Sequence, residues 1–285
     1  MDTGLDQFYT KPAVARSCIE HVQSVLNQLE EEPVVFVEPA AGTGSFVVEL
    51  ASLGLPVQAY DIDPQYPRVI KRDFLQDRIR PRGNRRSRVV VGNPPFGKRG
   101  SVALAFLNRS LYWASVVGLI LPRQFMKYGT QKQVSSAAHL VLQETLPPHS
   151  FSTAVRDSVD IGCVFQVWTT LEAGVPDLRL GEKPAISHRD FILYQYNNTE
   201  EARKFFENDF DIAIFNQGYG EYPTFRTSAS SCEKNKQWLL VKTANKGVLD
   251  RIKKMDYKTL SEGNTTVPGF RKADFVREYV RLYES

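Results

Sequence analysis

The 285-residue chain reads as an α/β protein: a doubly wound, mostly parallel sheet of seven strands over residues 1–170, a linker at 171–190, and a smaller C-terminal α+β domain at 191–285. Three observations predict this. Short runs of β-branched and aromatic residues alternate with segments of helical spacing as far as residue 170, the rhythm of strands joined by crossover helices. The first apolar strand runs into a glycine loop and then a helix, which is how a doubly wound sheet begins. Beyond residue 170 the rhythm stops, and Gly174, Pro176, Gly181 and Pro184 break the chain before shorter, turn-separated strands resume. With 42% apolar residues the chain can build a sizeable core.

Thr10 is expected to cap a helix with Pro12 in its first turn, since Val14, Cys18, Val22, Val25 and Leu29 recur near helical spacing. Residues 34–37 form a fully apolar strand, followed by Glu38-Pro39-Ala40-Ala41-Gly42-Thr43-Gly44-Ser45-Phe46 and a helix at 47–53. Residues 57–60 are the second strand, ending in Asp61-Ile62-Asp63-Pro64, where Asp63 is read as a helix cap. A short third strand at 69–71 ends in Arg72-Asp73-Phe74. Val89-Val90-Val91 is a buried strand that stops at Gly92-Asn93-Pro94-Pro95-Phe96. Residues 101–114 are helical, with Ala103, Phe106, Leu107 and Leu111 on one face. Strand 117–121 follows, then a helix at 135–142, a short strand at 144–146 and a seventh strand at 163–169. In the C-terminal part, strands are expected at 210–215 and 237–242, a turn at 216–220, and helices leading to Lys254 and over 272–282.

Net charge is +4, but residues 78–88 hold Arg78, Arg80, Arg82, Arg85, Arg86 and Arg88 with no acid among them. Such a run suits a phosphate backbone, and Lys98 and Arg99 extend it past the proline loop. Cys18, Cys163 and Cys232 are widely separated and odd in number, which argues for a reducing compartment and against a disulfide framework or zinc site. No apolar run is long enough for a membrane span, and the acid-bearing N-terminus lacks a secretory h-region. A cytoplasmic location, or a nucleoid or nuclear one, is expected, with no membrane partner and no metal.

Loops that follow successive parallel strands meet at one edge of such a sheet, and ligands bind there. The glycine loop, Asp61, Asp73 and Asn93 are all expected at strand C-terminal ends, so they should converge. Gly42 and Gly44 allow close approach of the backbone, although Val47 occupies the place of a third glycine, which disfavours a pyrophosphate loop. An acid ending the second strand can accept both hydroxyls of a ribose. Asp73 can accept from an adenine amino group, with Phe74 over the ring. The two prolines stiffen residues 93–96, so that an amide oxygen and a backbone carbonyl can face one NH2 group beside an aromatic ring. The constellation suits a nucleoside-bearing cosubstrate opposite an exocyclic amine.

The glycine loop followed by Asn93-Pro94-Pro95-Phe96 resembles the S-adenosylmethionine-dependent amino-methyltransferases, specifically the N6-adenine DNA group with its Asn-Pro-Pro-Phe loop. The segment Phe8-Tyr9-Thr10-x-Pro12 precedes the glycine loop, the motif order of the γ type, whose target-recognition domain is also C-terminal. The resemblance covers residues 6–170 and implies a Rossmann-like methyltransferase sheet. It implies S-adenosyl-L-methionine bound by Phe8, Tyr9, Thr10 and Pro12 at its methionine end and by Glu38, Pro39, Ala40, Gly42 and Gly44 beneath. Asp61 and Ile62 would hold its ribose, Asp73 and Phe74 its adenine, with Asn93 alongside. Asn93, Pro94, Pro95 and Phe96 would carry catalysis on a flipped adenine in double-stranded DNA, with Phe96 stacking on one side and Phe165 on the other. RNA adenine or guanine amino groups, a protein glutamine, or a catalytically inactive nucleic-acid-binding role remain alternatives. Phe96, where the glutamine-acting relatives commonly carry tyrosine, disfavours the protein substrate.

Overall fold

The computed structural model describes residues 8–32, 35–76, 88–172, 174–196, 199–200, 204, 209–263 and 267–284. The chain divides into two compact units, Met1–Gly181 and Glu182–Ser285.

In the first unit, β1 (Tyr9–Thr10) leads into α1 (Pro12–Gln28), then β2 (Val35–Glu38), α2 (Ser45–Ser52), β3 (Val57–Asp61), β4 (Ile70–Lys71) and β5 (Arg88–Gly92). Next come α3 (Ser101–Trp113), β6 (Val116–Pro122), the one-turn α4 (Tyr128–Gln131), β7 (His139–Thr145), β8 (Phe151–Thr153), β9 (Arg156–Val159) and β10 (Cys163–Thr169). Seven of these strands make one sheet in the order β4-β3-β2-β5-β6-β10-β7. Pairing is parallel from β4 through β6, and β10 runs antiparallel to both β6 and β7. The direction of strand addition reverses between β2 and β5, so the crevice outside their C-terminal ends is where such a sheet takes a ligand.

The sheet is covered on both faces, which is why its middle strands are continuously apolar. Val89 and Val91 of β5 pack into the cluster of α1, with Ile19, Val22 and Phe36. Val90, between them, packs into the cluster of α3, with Leu107 and Leu111. On α1, Ala15, Cys18, Ile19, Val22, Val25 and Leu26 are buried, a single stripe at helical spacing.

Three expectations do not hold in this unit. Thr10 is not the helix cap: it lies in β1, opposite Phe151 of β8, and Lys11 is the cap residue. Residues 139–142 are strand, not helix. Pairing with β10, with Leu142 opposite Val167 and Leu140 opposite Trp168, overrides the local helical preference of the preceding alanines. Asp63 caps no helix among the described residues; its backbone N–H donates to Asp61 Oδ1 at 2.8 Å. A small sheet in the order β1-β8-β9, absent from the sequence reading, joins the start of the chain to the connection between β7 and β10.

The second unit holds β11 (Ile192–Tyr196), β12 (Ile212–Gln217), β13 (Phe225–Arg226), β14 (Gln237–Lys242), α5 (Lys246–Lys253), α6 (Tyr257–Ser261) and α7 (Lys272–Tyr283). Its antiparallel sheet runs β11-β14-β12-β13. Val248, Ile252, Phe275, Val276 and Tyr279 cover one face of it. His188 Nδ1 accepts from the Asp190 N–H at 3.2 Å, and Nε2 lies 3.2 Å from Glu284 Oε2, tying the end of α7 to the entry of β11. All three cysteines are free and buried, and burial pushes the Cys232 thiol up to about 11. No helix among the described residues is long and apolar enough to cross a membrane.

Candidate active site

The parallel strands end around a cavity of about 540 Å³ lying wholly in the first unit, within the range of small-molecule sites. Its floor is the turn from β2 into α2. Ala41 N–H donates to Tyr60 O at 2.9 Å and Gly44 N–H to Ala41 O at 2.8 Å, closing the turn over the neighbouring strand. Gly44 has φ +84° and precedes α2; a Cβ there would meet the Tyr66 ring at 2.6 Å. That glycine serves the backbone and its packing against Tyr66, and it is not on the cavity wall.

Asp61, at the end of β3, accepts from the Gly42 N–H at 2.7 Å through Oδ2 and from the Asp63 N–H through Oδ1. It thereby ties the glycine turn to the second strand, and it faces the cavity with Ile62 and Asp63. Ile62 is 58% exposed, an apolar surface without a protein cover. Just after β4, Asp73 Oδ1 accepts from Leu75 N–H at 2.9 Å and Gln76 N–H at 3.2 Å, an Asx turn. Phe74 lines the cavity but is only 2% exposed, because its ring stacks on Phe106 at 5.6 Å and packs against Trp113. Phe74 thus lines the cavity from within the aromatic packing of α3.

Three residues that line the cavity each hold a buried polar atom without a hydrogen-bond partner among the described residues: Thr10 Oγ1, Glu38 Oε2 and Asn93 Oδ1. A buried polar group left unpaired costs about 1–3 kcal/mol, so such atoms mark where a ligand's polar groups belong. Glu38, at the end of β2, is 2% exposed. Burial, and secondarily the charge of Asp61, push its carboxyl well above the ordinary range, against a lowering hydrogen bond from the Val47 backbone. At the end of β5 the Asn93 side chain donates from Nδ2 to the Phe8 carbonyl at 3.1 Å. Pro94, Pro95 and Phe96 complete this wall, and Phe96 O accepts from Val102 and Ala103 N–H at 3.2 Å each, joining the loop to α3.

The cavity thus gathers Phe8, Tyr9, Thr10, Glu38, Pro39, Ala40, Gly42, Asp61, Ile62, Asp73, Phe74 and Asn93 through Phe96. Pro12 does not line it; it starts α1. Phe165 does not line it either, and its reading as a second stacking face is corrected. It sits in the middle of β10 opposite Ile120, fully buried, with its ring against Gly118 and in the α1 cluster. The alternation of β10 sends that side chain into the α1 layer and away from the sheet edge. Lys98 and Arg99 are exposed on the turn between Phe96 and α3, where they line a separate cleft with Ser101, Leu104, Thr130 and Gln133. Arg88 begins β5; Arg78, Arg80, Arg82, Arg85 and Arg86 lie outside the described residues.

Sequence reasoning missed Gln65, Lys71, Val102 and Phe106 on the cavity wall. Phe106 was legible only as a core position of its helix. Among the described residues, His188, Asp190 and Glu284 bring three metal-ligating types together. A metal on Nε2 of His188 would require the ring proton on Nδ1, which instead accepts the Asp190 N–H.

No family model matches the chain, and no curated protein matches it. Solved structures similar to it include methyltransferases. A Pyrococcus horikoshii protein provisionally assigned as an RNA methyltransferase is 18% identical, covering 58% of this chain and 88% of its own, with a TM-score of 0.43. The modification subunit of a provisionally assigned type I restriction enzyme from Vibrio vulnificus is 16% identical, covering 86% of this chain and 61% of its own, with a TM-score of 0.42. The magnesium protoporphyrin IX methyltransferase of Synechocystis, solved with S-adenosylmethionine bound, is 12% identical over 55% of this chain and 78% of its own, with a TM-score of 0.38.

Proposed function

We propose that the chain is an S-adenosylmethionine-dependent methyltransferase acting on the N6 amino group of adenine in double-stranded DNA. The observation that carries this is Asn93 Oδ1: a buried acceptor without a partner among the described residues, on a locked side chain that lines the same cavity as the glycine turn. The residues present fit the cofactor. Thr10 Oγ1 and Glu38 Oε2 offer buried polar atoms to an ammonium or carboxylate, Asp61 faces the cavity from the second strand, and Ile62 offers an apolar face. When bound, S-adenosylmethionine supplies a methyl group on a positively charged sulfur.

The work of the protein follows from its acceptors. An adenine amine has its lone pair delocalised into the ring. Asn93 Oδ1 and the Pro94 carbonyl would accept its two N–H bonds, drawing the nitrogen toward tetrahedral geometry and freeing that pair. The freed nitrogen pair would bond to the donated methyl group as that group's bond to sulfur breaks with its electrons left on sulfur, and the amine would then release one proton. Positioning and fixed dipoles supply the acceleration. Reaching the amine in a duplex requires flipping the base, at a cost of a few kcal/mol. Stacking on Phe96 returns about 1–3 kcal/mol of it. Arg78–Arg88, Lys98 and Arg99 would meet the phosphate backbone, and the second unit would contribute target recognition.

The test supplies methyl-labelled cofactor with duplex DNA, single-stranded DNA, RNA and protein, and digests each product to nucleosides or peptides. Label in N6-methyladenine from duplex DNA is expected. Label in an RNA base or in glutamine would replace the substrate, and absence of saturable cofactor binding in calorimetry would overturn the reading altogether.

A further inference from the structure

Asn93 carries two chemically opposite atoms at the end of its side chain, and only the oxygen can accept from an amine. Which atom faces the cavity is decided by what holds the other. Here Nδ2 donates to the Phe8 carbonyl at 3.1 Å, and Oδ1 of this cavity-lining residue is left buried, without a hydrogen-bond partner among the described residues. Turning the amide over would set Oδ1 against the Phe8 carbonyl oxygen, two acceptors at hydrogen-bond distance. It would also present two donors to an amine that is itself a donor.

The Phe8 carbonyl is held in turn. Phe8 immediately precedes β1, whose Tyr9 and Thr10 pair with Ser152 and Phe151 of β8, and Lys11 N–H donates to Ser150 O at 3.0 Å. The Phe8 side chain packs on the α1 cluster, and Phe151 at the centre of this small sheet is fully buried. The carbonyl is therefore held by the paired strand that follows it and by the packing of its own side chain.

We infer that the Phe8 main-chain carbonyl, braced by the β1–β8 pairing, is a positioning group for the reaction: it selects the rotamer in which Asn93 presents its oxygen to the substrate amine. This rests on the amino-methyltransferase reading of the cavity, and it assigns to the β8–β9 hairpin, far from β5 in sequence, a part in catalysis.

The inference makes an unusual demand on Asn93→Asp. A carboxylate is the stronger acceptor, so if position 93 needed only an acceptor the variant would work best ionised. With the Phe8 carbonyl opposite its second oxygen, the ionised form meets an acceptor. The protonated form reproduces the native pattern, its O–H donating to Phe8 and its carbonyl accepting from the amine. The other charged groups lining the cavity are Glu38, Asp61, Asp63, Lys71, Arg72 and Asp73. They are present in both proteins, so the ratio of variant to wild-type kcat isolates what the introduced carboxyl group changes, its coupling to Glu38 included.

That ratio is measured from pH 5.5 to 8.5 on duplex DNA, with cofactor affinity followed by calorimetry. With cofactor held saturating for each protein, the expected result is a ratio that falls tenfold per pH unit above the titration of the introduced carboxyl group. A ratio that is flat or rises with pH, or a variant that binds cofactor but is inactive at every pH, overturns the inference. Wild-type enzyme inactive on adenine would instead overturn the functional reading. Should the variant fail to bind cofactor, the wild-type protein decides. With asparagine side chains labelled with nitrogen-15, one Asn93 carboxamide proton should exchange slowly, and exchange of both at the rate of a free amide overturns the inference.

Discussion

Replacing Glu38 by glutamine should make the ligand-free protein more stable as pH rises, while weakening its hold on the cofactor. The carboxyl is 2% exposed, one oxygen is unpartnered, and the charge of Asp61 lies close by. Its folded-state value therefore stands well above the unfolded one. Between those two values the folded protein binds more protons than the unfolded chain, so stability falls as pH rises through the interval. Below the unfolded carboxylate value, near 4.5, the full stability is present, and it is lost progressively above that value until the folded group also ionises. The slope for one proton is about 1.4 kcal/mol per pH unit. Glutamine carries no such proton, and its oxygen can still accept from the Val47 N–H. The stability of Glu38→Gln minus that of wild type should thus be near zero around pH 4 and grow by up to about 1.4 kcal/mol for each unit above it. Urea unfolding at half-unit intervals from pH 4 to 7, without cofactor, measures the difference directly. Parallel curves for the two proteins would show that Glu38 titrates normally and that burial does not hold its proton. In calorimetry, loss of a charge-assisted hydrogen bond worth about 1.5–3 kcal/mol should weaken S-adenosylmethionine binding roughly 10- to 100-fold in the same variant.

Gly44→Ala places a Cβ 2.6 Å from the Tyr66 ring at φ +84°; a loss of about 1–3 kcal/mol is expected in chemical unfolding, and an unchanged midpoint would contradict the strained turn. Phe165→Ala should cost about 3–5 kcal/mol of stability as a core cavity, with KM for DNA unchanged at a temperature where the variant is folded; a selective rise in KM would restore Phe165 as a stacking face. Charge reversal at Lys98 and Arg99 together should weaken duplex binding and lower the salt slope by about two phosphate contacts, roughly 2 in the logarithmic plot. A slope equal to that of wild type would return both residues to plain solvated surface.

The parts of the cavity that could be read in advance are those written in contiguous residues. A β-branched run that ends in Asn93-Pro94-Pro95-Phe96 announces both the strand and the stiff loop after it. Gly42 and Gly44 after an apolar strand announce the tight turn, and Asp61 follows one β-α-β step later. Each signal is local, because strand ends and turns depend on the φ and ψ preferences of a few neighbours. Parallel pairing then brings those ends to a common edge without further instruction.

What stayed hidden depends on partners distant along the chain. Nothing near Phe165 says which layer its side chain enters; the register of β10 against β6 decides that, and a shift by one residue would turn it to the other face. The pairing of Tyr9 and Thr10 with a three-residue strand near position 151 involves too few residues to leave a periodic signal. Yet that pairing holds the Phe8 carbonyl against Asn93. The residue types at the candidate site were thus legible from local stereochemistry. Which end of the Asn93 amide is taken up inside the protein was decided only when a hydrogen bond closed between residues 8 and 93, because an amide has no preferred side until something binds one of its ends.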